Sequence, residues 1–230
     1  MSAAFVFLHI GAQWQFPDLL VRSIRAFHKD AEIIQCTDHD TLAIDGVDAV
    51  SRFDGDPKKL MTFRLGSFAA LNRRDPAIYV DADMLCVQSL DPATILAGCD
   101  VAVCGREYGL SILINPEFRG MDFSEHGDKT FGQVYPYVAC ATISADGLFW
   151  ADCLANLNAL HPKFHRWYGD QEAIRNVVNS GRYRFTVLPE SIYGFLPGEA
   201  FGRMPPRLLH FKGNDRKPAM FDYAKRLGLI

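Results

Sequence analysis

The chain alternates short apolar runs with longer stretches in which apolar residues recur every three or four positions. "AAFVFLHI" (residues 3–10), "AEIIQCT" (31–37), "DAVSRF" (48–53), "AIYV" (77–80) and "DVAVCG" (100–105) are runs of strand length. Bounded by turn residues, such runs read as strands. Between them, "FPDLLVRSIRAF" (16–27) places Phe16, Leu19, Leu20, Ile24 and Phe27 on one helical face. Pro17 falls in its first turn, where a missing N–H costs nothing. "KKLMTFRLGSFAALN" (58–72) predicts a second helix. "DPATILAG" (91–98) predicts a short one, with Asp91 as cap, Pro92 at its first position and Gly98 closing it.

Residues 106–132 break the rhythm and read as one long irregular excursion, of the kind that is usually functional or mobile. The pattern resumes with a strand at "YVACATIS" (137–144) and helices at "ADGLFWADCLANL" (145–157) and "DQEAIRNVV" (170–178). Strands at "FTVLPE" (185–190) and "RLLHFKG" (207–213) follow, then a last helix from about Pro218. Strands alternating with helices predict an α/β fold with a single, mainly parallel sheet flanked by helices. No repeat, linker or low-complexity tract interrupts residues 1–230, which read as one domain.

Composition narrows the function classes. A chain of 230 residues can bury about 70% of its unfolded surface, so it needs no covalent staples. The net charge of −3 gives no reason to expect a nucleic-acid partner. Six cysteines lie in apolar stretches and none forms a C-x-x-C pair, which points to reduced thiols and a cytoplasmic location. "MSAAFVFLHIG" lacks a basic leader and reads as a strand rather than a signal peptide. No run approaches the roughly 18 apolar residues of a membrane span, and attachment at the membrane periphery is compatible with the sequence.

Chemistry enters at "AIYVDADMLCV" (77–87), where a buried strand runs into Asp81 and Asp83. Two other D-x-D triplets exist. Asp54 and Asp56 flank a glycine before a proline, which is turn chemistry, and Asp38 and Asp40 run into polar residues like a solvated loop. Only Asp81 and Asp83 stand between apolar segments. Residues i and i+2 of a strand project to one side, so the carboxylates converge at the carboxyl end of a strand. They repel unless a proton or cation sits between them, and Mg²⁺ or Mn²⁺ suits such oxygens. The plain alternative is a helix cap beside a solvated acid.

"RLLHFKGNDRKP" (207–218) follows its strand with Gly213, Arg216 and Lys217, and Lys217-Pro218 opens the last helix. With His210, these groups suit a metal-bound diphosphate; taken alone, the stretch is explained more simply by a core histidine before a basic turn. Arg64 falls in the middle of the stripe Leu60, Met61, Leu65, Phe68 and Leu71, so it requires a partner: Asp81, Asp83, a ligand phosphate, or a purely structural acid. Asp170 lies on the inward face of its helix, as a cap or as a carboxylate aimed into a cleft beside Gln171. His161 and His165 are separated by Pro162 and read as surface residues.

Together these stretches resemble the family 8 glycosyltransferases, which have a GT-A fold and retain anomeric configuration. "TFRLGSFAALNRRDPAIYVDAD", "YGDQEAI", "VLPESIYGFLP" and "LLHFKGNDRKP" are similar, in order and spacing, to that family's motifs over roughly residues 3–220. The resemblance implies that Asp81, Asp83 and His210 bind Mn²⁺ or Mg²⁺, that Gly213 and Lys217 hold the donor diphosphate, and that Arg64 bridges metal site and donor. It implies Asp170 on the donor-sugar hydroxyls and Gln171 near the anomeric carbon. His9 to Gln13 and Asp38 would line the nucleoside pocket. The implied activity is transfer of a sugar from a nucleotide diphosphate, UDP-hexose by resemblance, to an acceptor the sequence does not name.

The chain departs from the family pattern. Its first strand ends "HIGAQW", the family's Asn-x-Gly is replaced within "ACATIS", and the residue after Lys-Pro is Ala219 rather than tryptophan. A haloacid-dehalogenase-like phosphatase shares a strand ending in D-x-D. That class wants the motif on its first strand and Thr or Val where Leu85 stands. A non-catalytic nucleotide-sugar-binding protein is the other alternative.

Overall fold

The computed structural model describes residues 3–200, 202 and 204–230. In chain order the elements are β1 (Ala4–Leu8), α1 (Gln15–Phe27), β2 (Glu32–Thr37), β3 (Ala49–Arg52), α2 (Leu60–Ala70), β4 (Ala77–Asp81), β5 (Met84–Cys86), α3 (Pro92–Leu96) and β6 (Val101–Gly105). Then come β7 (Glu117–Phe118), β8 (Met121–Asp122), α4 (Phe131–Val134), β9 (Tyr137–Ser144), α5 (Leu148–Asn158), α6 (Gly169–Asn179), β10 (Phe185–Pro189), α7 (Glu190–Tyr193), β11 (Leu208–His210) and α8 (Lys217–Arg226).

Seven strands form the central sheet in the order β10-β6-β9-β4-β1-β2-β3. β9 runs antiparallel to both its neighbours, and the other pairings are parallel. The α/β sandwich with a mainly parallel sheet is therefore the fold the periodicity predicts. The strands alternate in side-chain direction. Phe5, Phe7, Ile33, Ile78 and Val80 pack with Leu20 and Ile24 of α1 on one face; Val6, Ile34 and Tyr79 pack with α2, α5 and α6 on the other.

Four details differ from the sequence reading. Phe27, expected on the apolar face of α1, is 39% exposed, so that stripe ends at Ile24. Asp91 does cap α3, accepting from the Ala93 N–H, but Ala97 takes the left-handed turn ahead of Gly98. Within the excursion lie the hairpin β7–β8, a 3-10 turn at Ser124–His126 and the start of α4. The fourth concerns "RLLHFKG". It is not a strand of the parallel sheet: β11 pairs antiparallel with β5, a strand too short to show in the sequence. This ribbon packs Leu85, Leu209 and Phe211 against Leu19 of α1 and Met220 and Ala224 of α8.

The start of α6 is held by close approach. A Cβ on Gly169 would stand 2.0 Å from the Phe164 carbonyl oxygen, and Tyr168 before it has φ 60. Gly169→Ala is expected to destabilise the protein by about 1–3 kcal/mol through overpacking. Thermal or urea unfolding checks this, and an unchanged midpoint would show that the turn yields at no cost.

Candidate functional site

Asp81 is the last residue of β4, and Asp83 lies in the two-residue turn that leads into β5. The carboxylates therefore do not converge by strand pleat, as the i, i+2 spacing suggested, but around this turn. Antiparallel pairing sets His210 opposite Met84, and the Phe211 N–H donates to the Asp83 carbonyl. That places the imidazole against both acids: Nε2 lies 3.5 Å from Asp81 Oδ2 and 3.5 Å from Asp83 Oδ1. One ligand atom from each of the three residues falls within 4.8 Å of the others. His210 is buried, while the two acids keep some exposure towards the sheet edge.

The electrostatics call for a cation here. Burial works against the imidazolium, but the charge of Cys140 and hydrogen bonding with Asp83 outweigh it, and the His210 pKa is pushed up to about 10. Burial also opposes ionisation of Asp83, yet bonding with His210 and the charge of Lys217 hold its pKa below the ordinary value. Lys217 Nζ stands 3.6 Å from Asp83 Oδ2. A protonated imidazole between two acids fills the place a divalent ion would take, and the three side chains form a mixed oxygen–nitrogen donor set of the kind that holds such an ion.

Arg64 finds the partners its position demands. It pairs with Asp81 at 2.6 Å and Asp170 at 3.2 Å, and donates to the Ala139 carbonyl at 2.6 Å. Asp83, one of the partners the sequence offered, is not among them. Asp170 is not the helix cap: that position belongs to Tyr168, which makes no side-chain cap bond. Asp170 is 5% exposed, and burial raises its pKa against the opposing pull of Arg64. Gln171 follows it and accepts from Arg106 Nη2 at 2.6 Å.

The nucleoside-pocket candidates sit at the ends of neighbouring strands β1 and β2. His9 is 7% exposed with Nε2 buried and unpartnered, and burial lowers its pKa while Asp38 opposes the shift. The Asp38 carboxylate accepts from the Thr41 N–H, and Thr41 Oγ1 accepts from Gly11. Nearby, a cleft of about 410 Å³ is lined by Gln13, Phe16, Asn214, Lys217, Pro218 and Phe221. Gly213 has φ 82 and open space where a Cβ would be, so its backbone can approach a ligand closely.

Other sequence expectations resolve simply. Asp54 pairs with His39, and Asp56 caps its own turn through the Lys58 N–H. His165 is not a free surface residue: Nδ1 shares a 2.6 Å hydrogen bond with Thr62 Oγ1. None of the six cysteines is in a disulfide, and five are buried. Two residues the sequence reading passed over stand at the site: Cys140 beside His210, and Arg106 beside Gln171. Arg106 had a signal, since a cation directly after the buried strand β6 falls on the edge where Asp81 ends β4.

No protein-family model matches the sequence, and no curated protein matches it. Solved structures do. The bifunctional glycosyltransferase WbbM, in its apo form, superposes at TM-score 0.58 with 15% identity over 98% of this chain and 51% of its own. The glycosyltransferase GlyE of Streptococcus pneumoniae TIGR4 gives 0.61 and 15%, over 97% of this chain and 60% of its own. The galactosyltransferase LgtC, solved with donor and acceptor sugar analogs, gives 0.51 and 10%, over 99% and 100%. The chain thus spans about half of WbbM and three-fifths of GlyE. At these identities the likeness establishes the fold, which is GT-A, the fold the sequence resemblance implies. No helix among the described residues is long and apolar enough to cross a membrane.

Proposed function

We propose that the protein is a metal-dependent glycosyltransferase that moves a sugar from a nucleotide diphosphate sugar, UDP-hexose first among the candidates, to an acceptor, with retention. The observation that carries this reading is the Asp81–Asp83–His210 cluster at the carboxyl edge of the sheet, with Lys217 and Arg64 beside it. In open α/β sheets that edge is where ligands bind.

Asp81, Asp83 and His210 would hold a divalent ion, which would supply charge neutralisation to the leaving diphosphate. Lys217 adds preorganised stabilisation of the same oxygens, and Gly213 lets the chain pass close to them. His9 and Asp38 line the nucleoside end. Arg64 holds Asp81 and Asp170 in fixed relation, so that the metal ligand and the donor-sugar contact cannot drift apart. The Asp170 carboxylate is engaged by Arg64. A carboxylate so engaged is a poor nucleophile, which favours attack by the acceptor on the face the diphosphate leaves.

UDP binding is expected to require Mn²⁺. Calorimetry with UDP, with metal and after chelation, should show loss of affinity by at least about tenfold, as for loss of a major charge contact. Equal affinity in both conditions removes the metal from the reading. Slow hydrolysis across a panel of UDP- and GDP-sugars then identifies the donor.

A further inference from the structure

Two adjacent residues open the face of α6 that meets the site, and each is held by an arginine from a different element. Arg64 of α2 holds Asp170; Arg106, just after β6, holds Gln171. The second pairing is chemically unusual. Arg106 is half-buried, burial lowers its pKa, and it makes no ion pair with a carboxylate among the described residues. A desolvated cation is costly unless its position is needed. Arg106 instead spends its guanidinium on neutral oxygens: Nε donates to the Tyr135 carbonyl at 2.7 Å and Nη2 to Gln171 Oε1 at 2.6 Å, with the group 5.2 Å above the Phe131 ring.

The backbone that carries Arg106 is anchored on both sides. Its own N–H donates to the Pro136 carbonyl at 2.8 Å. The next two N–H groups, of Glu107 and Tyr108, donate to Glu190 Oε2 at 2.7 and 2.9 Å. Glu107 returns the clasp by accepting from the Ser191 N–H at 2.7 Å. Glu190 is 1% exposed, so the nearby acid that could neutralise Arg106 is committed to fixing the chain.

A guanidinium has donors and no acceptor. The amide atom facing it is therefore the oxygen. The Gln171 Nε2 group then points away from Arg106, and it bonds to no described residue. The geometry points to Arg106 as a positioning residue: it turns the Gln171 amide so that its N–H groups, and not the carbonyl, are left for a ligand. Gln171 serves as a hydrogen-bond donor to an oxygen of the donor sugar or the leaving group. Its carbonyl, occupied by Arg106, is withheld from the anomeric carbon.

The catalytic part rests on the glycosyltransferase reading; the positioning part does not, and the test separates them. In ¹⁵N-labelled protein the Gln171 side-chain amide signal is assigned by its loss in Gln171→Glu. Its order parameter is expected to be that of a rigid group, about 0.8, and to fall below about 0.6 in Arg106→Met, which keeps the aliphatic stem over Phe131. Arg106→Lys keeps the charge but lacks the fork that reaches both oxygens, and should release the amide too. An amide as rigid in both variants as in the parent overturns the positioning role. In the activity arm, Arg106→Met should lower turnover by about tenfold or more with donor KM within about twofold, and adding Gln171→Glu should cost little further. Additive losses overturn the pathway through Gln171. If the parent turns over no donor in the panel, the glycosyltransferase reading fails, and the amide signal alone decides for Arg106.

Discussion

His210→Ala is expected to abolish most Mn²⁺-dependent binding of UDP and to lower turnover by about a hundredfold or more, the scale of losing a major electrostatic contact. Nε2 lies 3.5 Å from each of two carboxylates, and those acids come from a segment more than a hundred residues earlier in the chain. The variant leaves a buried cavity, so some loss of melting temperature accompanies it. The discriminating measurement is metal affinity. Titration of Mn²⁺ into a variant that still folds, with affinity intact, would make His210 a core residue and nothing more.

The same residue sets a pH dependence. Only neutral imidazole binds a metal, so protons compete with Mn²⁺. An ordinary histidine, with a pKa near 6.5, would stop competing above about pH 7.5. His210 stands at about 10, so each unit of rising pH should continue to strengthen metal binding by up to about tenfold through pH 8 and beyond. Metal uptake should release a proton throughout that window. An affinity already flat above about pH 7.5 contradicts the raised value.

The sequence carried the central features unevenly. Strands β1, β4 and β6 were legible because each is a nearly continuous apolar run, buried on both faces and closed by turn residues. Arg64 was legible because a charge inside an apolar stripe has few permitted explanations. What joins the two halves of the site was not legible. β5 is only Met84–Cys86, indistinguishable from the tail of β4, and β11 needs β5 to form. The sequence reading put "RLLHFKG" in the same parallel sheet as "AIYV"; the protein instead builds an antiparallel ribbon that brings His210 to Asp81 and Asp83 by a different route. Asp170 was left between two readings for a similar reason. Its place near a helix start allows a cap as well as an inward carboxylate, and the tertiary approach of Arg64 decides for the second. Arg106 went unremarked because a cation after a strand is ordinary until the oxygens it meets are known.

Arg64→Met should be the most destabilising single change at the site. It strips the partner from the buried acid Asp170 and from Asp81 together. Removing one partner of a buried pair costs about 3–5 kcal/mol, and in a chain of this size each kcal/mol lowers the melting temperature by about 2–4 °C. Burial already raises the Asp170 pKa, and Arg64 is the group that opposes the rise. Without Arg64 the folded-state value climbs further above the unfolded one. The folded state then binds the extra proton, so stability lost at neutral pH returns as pH falls. Asp170→Asn in the Arg64→Met background removes the stranded charge and should recover most of the melting temperature. Turnover should not recover, since the guanidinium that links the metal ligand to the donor-sugar contact is still missing. If stability and turnover recover together, Arg64 is a structural counter-ion for Asp170, and its proposed place between metal and donor falls.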